Sequence, residues 1–77
     1  MMEEVLEILQ GIKPDVDFAE EKALIDDGIL DSFDIISIVN GLNDAFDIEI
    51  TVAELLPEHF NDAEAIWHLV QDMRENG

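Results

Sequence analysis

The chain has 77 residues, no cysteine, and twenty acidic residues against three basic ones, giving a formal charge of −17. Disulfides and thiolate metal sites are therefore excluded, and nucleic acid or an anionic membrane surface would be repelled. Hydrophobic residues still make up 48% of the chain, enough for a small folded core rather than disorder.

Residues 1–77 are read as a single domain, since a chain this short builds one modest core. In Met2 to Gly11, the residues Met2, Val5, Leu6, Leu9 and Ile12 recur at helical spacing. Glu3, Glu4 and Glu7 fall on the other face, near the helix start where the dipole favours anions. Gly11 and Pro14 are read as its stop. Residues 12–31 form a long connection, longer than most loops in a compact domain, which points to function or to a docked segment. Val16, Phe18, Leu24, Ile25, Ile29 and Leu30 read as pins fastening it over the core, with a short helical turn near Glu20 to Ile25.

The second helix is predicted from Ser32 to Phe46. Its apolar stripe is read as Phe33, Ile36, Val39, Leu42 and Phe46, with Asp34, Ser37, Gly41 and Asp44 facing away. Phe33, Ile36, Val39 and Leu42 would serve either as core or as the lining of a pocket for an acyl chain. Gly41 costs up to about 1 kcal/mol relative to alanine inside a helix, so it marks a close backbone contact. Asp47 to Ile50 alternates like a strand but is short and has no partner, so it is read as a loop tucking Ile48 and Ile50 inward. Thr51 and Glu54 form a capping-box pair for a short helix through Leu56. Pro57 ends that helix or restarts the chain as a turn over Glu58 to Phe60. Asn61, with Glu64, reads as the cap of a last helix whose apolar face is Ala63, Ile66, Trp67, Val70 and Met73. Asn76-Gly77 is expected to fray.

No apolar run approaches the ~18 residues a membrane span needs. The sequence Met1-Met2-Glu3-Glu4 lacks the basic region of a signal peptide, so a cytoplasmic location is expected. His59 and His68 have no companion ligands at metal spacing. An EF-hand register over Asp15 to Asp26 fails, because Ala19 and Glu20 occupy its fifth and sixth positions. No nucleophile–base pair or nucleotide fingerprint appears, so an enzyme is not expected. The charge favours basic protein partners and fast encounter with them. The residue that stands out is Ser32, which follows an aspartate at a helix start, where free amides and the helix dipole favour a phosphate. An ordinary N-cap serine is the other reading of the same position.

The run Ile25-Asp26-Asp27-Gly28-Ile29-Leu30-Asp31-Ser32-Phe33-Asp34, with Phe46-Asp47-Ile48-Glu49-Ile50 downstream, resembles the attachment region of acyl carrier proteins. The resemblance covers the whole chain and implies an all-α fold: an antiparallel bundle of three main helices plus a short helix, with a long first loop. It implies that a phosphopantetheinyl transferase attaches 4′-phosphopantetheine from coenzyme A to Ser32. Asp31 would help dock that enzyme and its magnesium ion. Acyl or aminoacyl thioesters on the arm would then pass between loading and transfer enzymes that present basic surfaces. It further implies docking through Asp31, Phe33, Asp34, Ile35, Ser37, Ile38 and Asp44, by a monomer that neither binds nucleic acid nor enters a membrane. Gly28 lies four residues before Ser32 rather than three, Phe33 replaces the usual leucine or methionine, and the second helix is thin in charge. The Leu30-Asp31-Ser32 form is closer to D-alanyl carriers, and to some carriers of peptide and polyketide pathways, than to fatty-acid carriers. The rival reading is a non-covalent acidic adaptor or polyanion mimic that blocks a basic surface.

Overall fold

The computed structural model describes residues 2–76. Helix α1 spans Met2–Ile12, α2 Ser32–Phe46, α3 Pro57–Phe60 and α4 Ala63–Asn76, with a single 3-10 turn at Val52–Glu54. Among the described residues there is no strand, and no helix is long and apolar enough to cross a membrane. Asn76, expected to fray with Gly77, is the last residue of α4, and Gly77 lies outside the described residues. The architecture is the helical bundle the sequence predicts, three main helices and a short one around a wholly apolar core.

The core draws on every segment. Val5 and Leu9 come from α1, Ile38 and Leu42 from α2, Phe60 from α3, and Ala63, Ile66, Leu69 and Val70 from α4. Ile8 lies against Gly41, and Lys13, just past the end of α1, reaches Asp34 near the start of α2. As numbers rise along one helix they fall along the other, so α1 and α2 run antiparallel. Gly41 suits their approach: a Cβ there would meet the Ile8 Cγ2 at 3.0 Å, tight enough that Ile8 would have to give way by a few tenths of an ångström.

The long connection is pinned as its sequence implies. Phe18, Leu24 and Leu30 are buried, and Val16, Ile25 and Ile29 pack half-buried against the same core. The helical turn expected at Glu20 to Ile25 is absent; the backbone there makes separate turns. One closes through Asp27 N–H to Ala23 O at 2.8 Å, and the amides of Ile29 and Leu30 both return to Leu24 O. Gly28 supplies the positive φ of 70° that this reversal requires.

Helix α1 ends at Ile12, one residue past the predicted Met2 to Gly11 and two before Pro14. Past α2, Asp47 takes the left-handed conformation, φ 54°, and the Asn43 side chain accepts the Ile50 amide at 2.9 Å. That bond folds Ile48 and Ile50 inward, as the sequence implies. The helix expected from Thr51 to Leu56 is only the 3-10 turn, although Glu54 does reach back to the Thr51 amide at 3.0 Å and to its hydroxyl. Those donors hold the Glu54 carboxyl below its ordinary value, the hydroxyl contributing most. Asn61 is not the cap of α4. Asp62 is, with its Oδ1 accepting the Ala65 amide at 2.7 Å, while Glu64 lies 3.8 Å from His68.

The stripe read for α2 needs correction. Phe33 is 80% exposed and Ile36 55%, whereas Ile38 and Leu42 are fully buried and Ile35 and Val39 half-buried. Steps of three drift: at about 100° per residue, Phe33 and Leu42 are some two and a half turns apart and lie on opposite sides of the helix. The face that packs is Ile35, Ile38, Val39, Leu42 and Phe46, with steps of three and four. Asp34, expected to face away, is also half-buried.

Candidate functional site

The start of α2 is built by a capping box made of two aspartates. Asp31 is the N-cap, in extended conformation, and its Oδ1 accepts the Asp34 amide at 2.9 Å. Asp34 Oδ2 in turn accepts the Asp31 amide at 3.1 Å. The first helical bond runs from the Ile35 amide to Asp31 O at 3.0 Å. Asp31 takes the role that Ser32 would have as an ordinary cap, which moves Ser32 to the first helical position. Ser32 is exposed, and among the described residues its hydroxyl has no hydrogen-bond partner.

The surroundings combine charge and apolar surface. The Lys13 Nζ stands 3.1 Å from Asp34 Oδ2, with both side chains largely withdrawn from solvent. Burial pushes the Asp34 carboxyl up, but the Asp31 amide and the Lys13 ammonium outweigh it and hold it below the ordinary carboxylate value. Asp31, Ser37 and Asp44 are exposed, and Phe33, immediately after Ser32, presents its ring to solvent. Ile35 is half-buried. Ile38 is sealed in the core, so it drops out of the surface on which the resemblance placed it.

Before the helix, the chain is anchored from the other side of the fold. Asn61 Oδ1 accepts the amides of Ile25 at 3.0 Å and Asp26 at 3.1 Å, its amide nitrogen donates to Asp26 Oδ2 at 3.2 Å, and its carbonyl accepts the Leu24 amide at 2.8 Å. Sequence reading missed both Asn61 and Lys13 as parts of this site. The Asp-x-x-Asp spacing of the box was visible at Asp31 and Asp34. Lys13 gave no signal beyond being one of three bases.

Two recesses frame the helix. Ile25, Ile35, Leu55, Leu56, Pro57 and Phe60 line an apolar hollow of about 70 Å³, one turn from Ser32. An open cleft of about 680 Å³ lies at the far end of α2, lined by Phe46, Asp47, Ile48, Glu49, Met73 and Arg74. There the Arg74 guanidinium sits 6.0 Å over the Phe46 ring, and Phe46 and Trp67 meet at 6.0 Å with their planes tilted by 51°. Fourteen rises of about 1.5 Å separate Ser32 from Phe46, so this cleft is roughly 21 Å from the serine.

No protein-family model matches the chain, and no solved structure matches it. The D-alanyl carrier protein of Lactococcus lactis subsp. lactis (strain IL1403) is 31% identical over 77 residues, an alignment covering 97% of this chain and 98% of that relative.

Proposed function

The chain belongs to the acyl-carrier-like protein family, and on that premise we propose that it is a single-domain, monomeric, cytoplasmic carrier whose cargo rides on a 4′-phosphopantetheine arm attached to Ser32. The observation that carries the reading is the exposed, unengaged Ser32 hydroxyl at the first position of a 15-residue helix whose capping is done by its neighbours. The residues fit a phosphodiester there. Asp31 and Asp34 satisfy the cap, and the amides of Ser32 and Phe33 lie at the positive end of the helix dipole, before the first intrahelical donor.

In the attachment step, the Ser32 oxygen forms a bond to the phosphorus of coenzyme A that bears the pantetheine. The bond from that phosphorus to the adenosine bisphosphate portion breaks, that portion departs, and the hydroxyl proton passes to a base of the transferase. The bound arm supplies a terminal thiol on which acyl or aminoacyl groups are held as thioesters. The protein's own residues position and present it. The cap fixes the backbone on both sides of Ser32, and Asp31, Phe33, Ser37 and Asp44, flanked by Asp34 and Ile35, offer an acidic and apolar face to partner enzymes with basic surfaces.

The cargo we assign is a small aminoacyl group, D-alanyl in class. The similarity to a D-alanyl carrier supports this, as does the size of the hollow beside Ser32. At about 70 Å³ it falls well below the roughly 300–1,000 Å³ of ordinary ligand pockets, too small to shelter a long acyl chain. Incubation with coenzyme A and a promiscuous phosphopantetheinyl transferase is expected to add one phosphopantetheinyl group by intact mass, and none to a Ser32→Ala variant. An unmodified wild type, or a modified variant, would refute the attachment. A D-alanine-activating ligase is then expected to load the arm in preference to fatty-acyl donors, and the reverse preference would refute the cargo.

A further inference from the structure

A capping box usually joins a neutral hydroxyl to an acidic or amide side chain. Here both members are carboxylates, Asp31 and Asp34, each reaching for the other's amide at 2.9 and 3.1 Å. Two anions on one helical turn repel each other, and a chain with seventeen excess negative charges adds to the repulsion. One cation offsets it: Lys13 Nζ lies 3.1 Å from Asp34 Oδ2. The lysine is well placed for this. Its amide donates to Leu9 O at 2.9 Å, which puts it just past the C-terminus of α1, where the helix dipole favours a positive charge.

We propose that Lys13 is a positioning residue for the modification of Ser32: it holds together a box of two carboxylates that would otherwise open. Ser32 sits inside that box, between its two members. With the box closed, Asp31 caps the helix and the serine hydroxyl is free. With it open, the first turn loses its fixed geometry and Ser32 competes for the vacated cap. An arriving phosphate brings more negative charge to the same turn, which makes the cation matter most during attachment. The inference rests on the carrier reading and adds to it a control point on a different helix, twenty-one positions before Asp34.

The test is the initial rate of phosphopantetheinylation of the full chain by a promiscuous transferase, followed by intact mass. Lys13→Met keeps the length of the side chain and removes the charge. It is expected to slow attachment about five-fold, which corresponds to losing a cap of about 1 kcal/mol. Lys13→Arg is expected to retain the rate. Asp34→Asn removes one of the two charges while leaving an oxygen for the Asp31 amide, so the box no longer depends on the lysine. Whatever rate Asp34→Asn itself shows, adding Lys13→Met to it should cost no further rate. A lysine that acted by touching the transferase directly would slow the Asp34→Asn chain as much as it slows the wild type. That result, or wild-type loading of Lys13→Met, overturns the inference while the carrier reading stands. A wild type that is not loaded at all removes both.

Discussion

Replacing Asn61 with alanine should loosen the segment that leads into Ser32 more than any other single exposed or half-exposed change. The side chain accepts from two backbone amides, Ile25 at 3.0 Å and Asp26 at 3.1 Å, and donates to Asp26 Oδ2 at 3.2 Å. The Asp26 bonds are exposed, so water replaces them and each is worth only a few tenths of a kcal/mol. The Ile25 amide is part-buried, and stranding it costs about 1–2 kcal/mol. Together the loss should be about 2 kcal/mol. For a domain this size that lowers Tm by roughly 8–16 °C, at about 4–8 °C per kcal/mol.

Asn61→Asp is the informative companion. It keeps an acceptor for both amides but sets a second carboxylate against Asp26, so it should fall between alanine and wild type and improve as salt is added. Urea melts give the stabilities, and amide exchange shows where the change acts. Residues 24–30 should exchange faster in Asn61→Ala, and α1 should not change beyond the global loss. A stability loss under about 0.5 kcal/mol, or faster exchange spread evenly over the chain, would refute the idea that Asn61 fastens this loop.

Phe33→Ser should shift stability by less than about 0.5 kcal/mol in a urea melt, because the ring is 80% exposed. Phe18→Ala, which empties a site 1% exposed, should cost about 3–5 kcal/mol. Gly41→Ala gains up to about 1 kcal/mol of helix propensity but forces a Cβ to within 3.0 Å of the Ile8 Cγ2, so a net loss is expected; an Ile8→Leu background, lacking that branch, should relieve it. The folded Asp34 carboxyl lies below its ordinary value, so its contribution to stability is present above that ordinary value and is lost as pH falls through the folded one. Acid melts of Asp34→Asn should therefore be shallower than wild type below about pH 4. The molecule extends 30 × 23 × 19 Å, so at 0.01 M salt, where the Debye length is about 30 Å, the excess negative charge repels itself across the whole molecule; raising salt to 0.15 M cuts that length to about 8 Å and should raise Tm.

Apolar spacing and turn chemistry gave the element order, because a capping or breaking residue stands near the start or stop of each helix. Asp31-Ser32, Pro57 and Thr51 with Glu54 mark starts that the folded chain uses. The pins of the long loop were also legible, since isolated apolar residues in an acidic stretch have little reason to be there except burial. The orientation of α2 was not legible. The large apolar residues from Phe33 to Phe46 support two overlapping faces, and only the packing of α1 and α4 decides between them. Asn61 misled for a similar reason. Asn61 and Asp62 are both good caps, and the choice depends on loop amides thirty-five residues away in sequence.

Polar bonds hold the segments on both sides of Ser32, as others hold Val16, Ile50, Thr51 and Ala65. Among the described residues no polar or charged one is buried, so the packing of the core does not depend on side-chain hydrogen bonds. Around Ser32 the arrangement is the reverse. Asn61 ties down residues 24–26, Asp31 and Asp34 close on each other, and Lys13 reaches across from α1 to Asp34. Apolar burial is non-directional and holds the bundle together without fixing one surface oxygen. Hydrogen bonds and ion pairs are directional, and here they come from two different parts of the fold onto the residues on either side of one serine. If the only requirement were solubility, or a diffuse negative surface for a basic partner, these bonds could sit anywhere. Their placement around Ser32 is what an attachment point requires, because a transferase and a series of later enzymes must each find the same oxygen in the same frame.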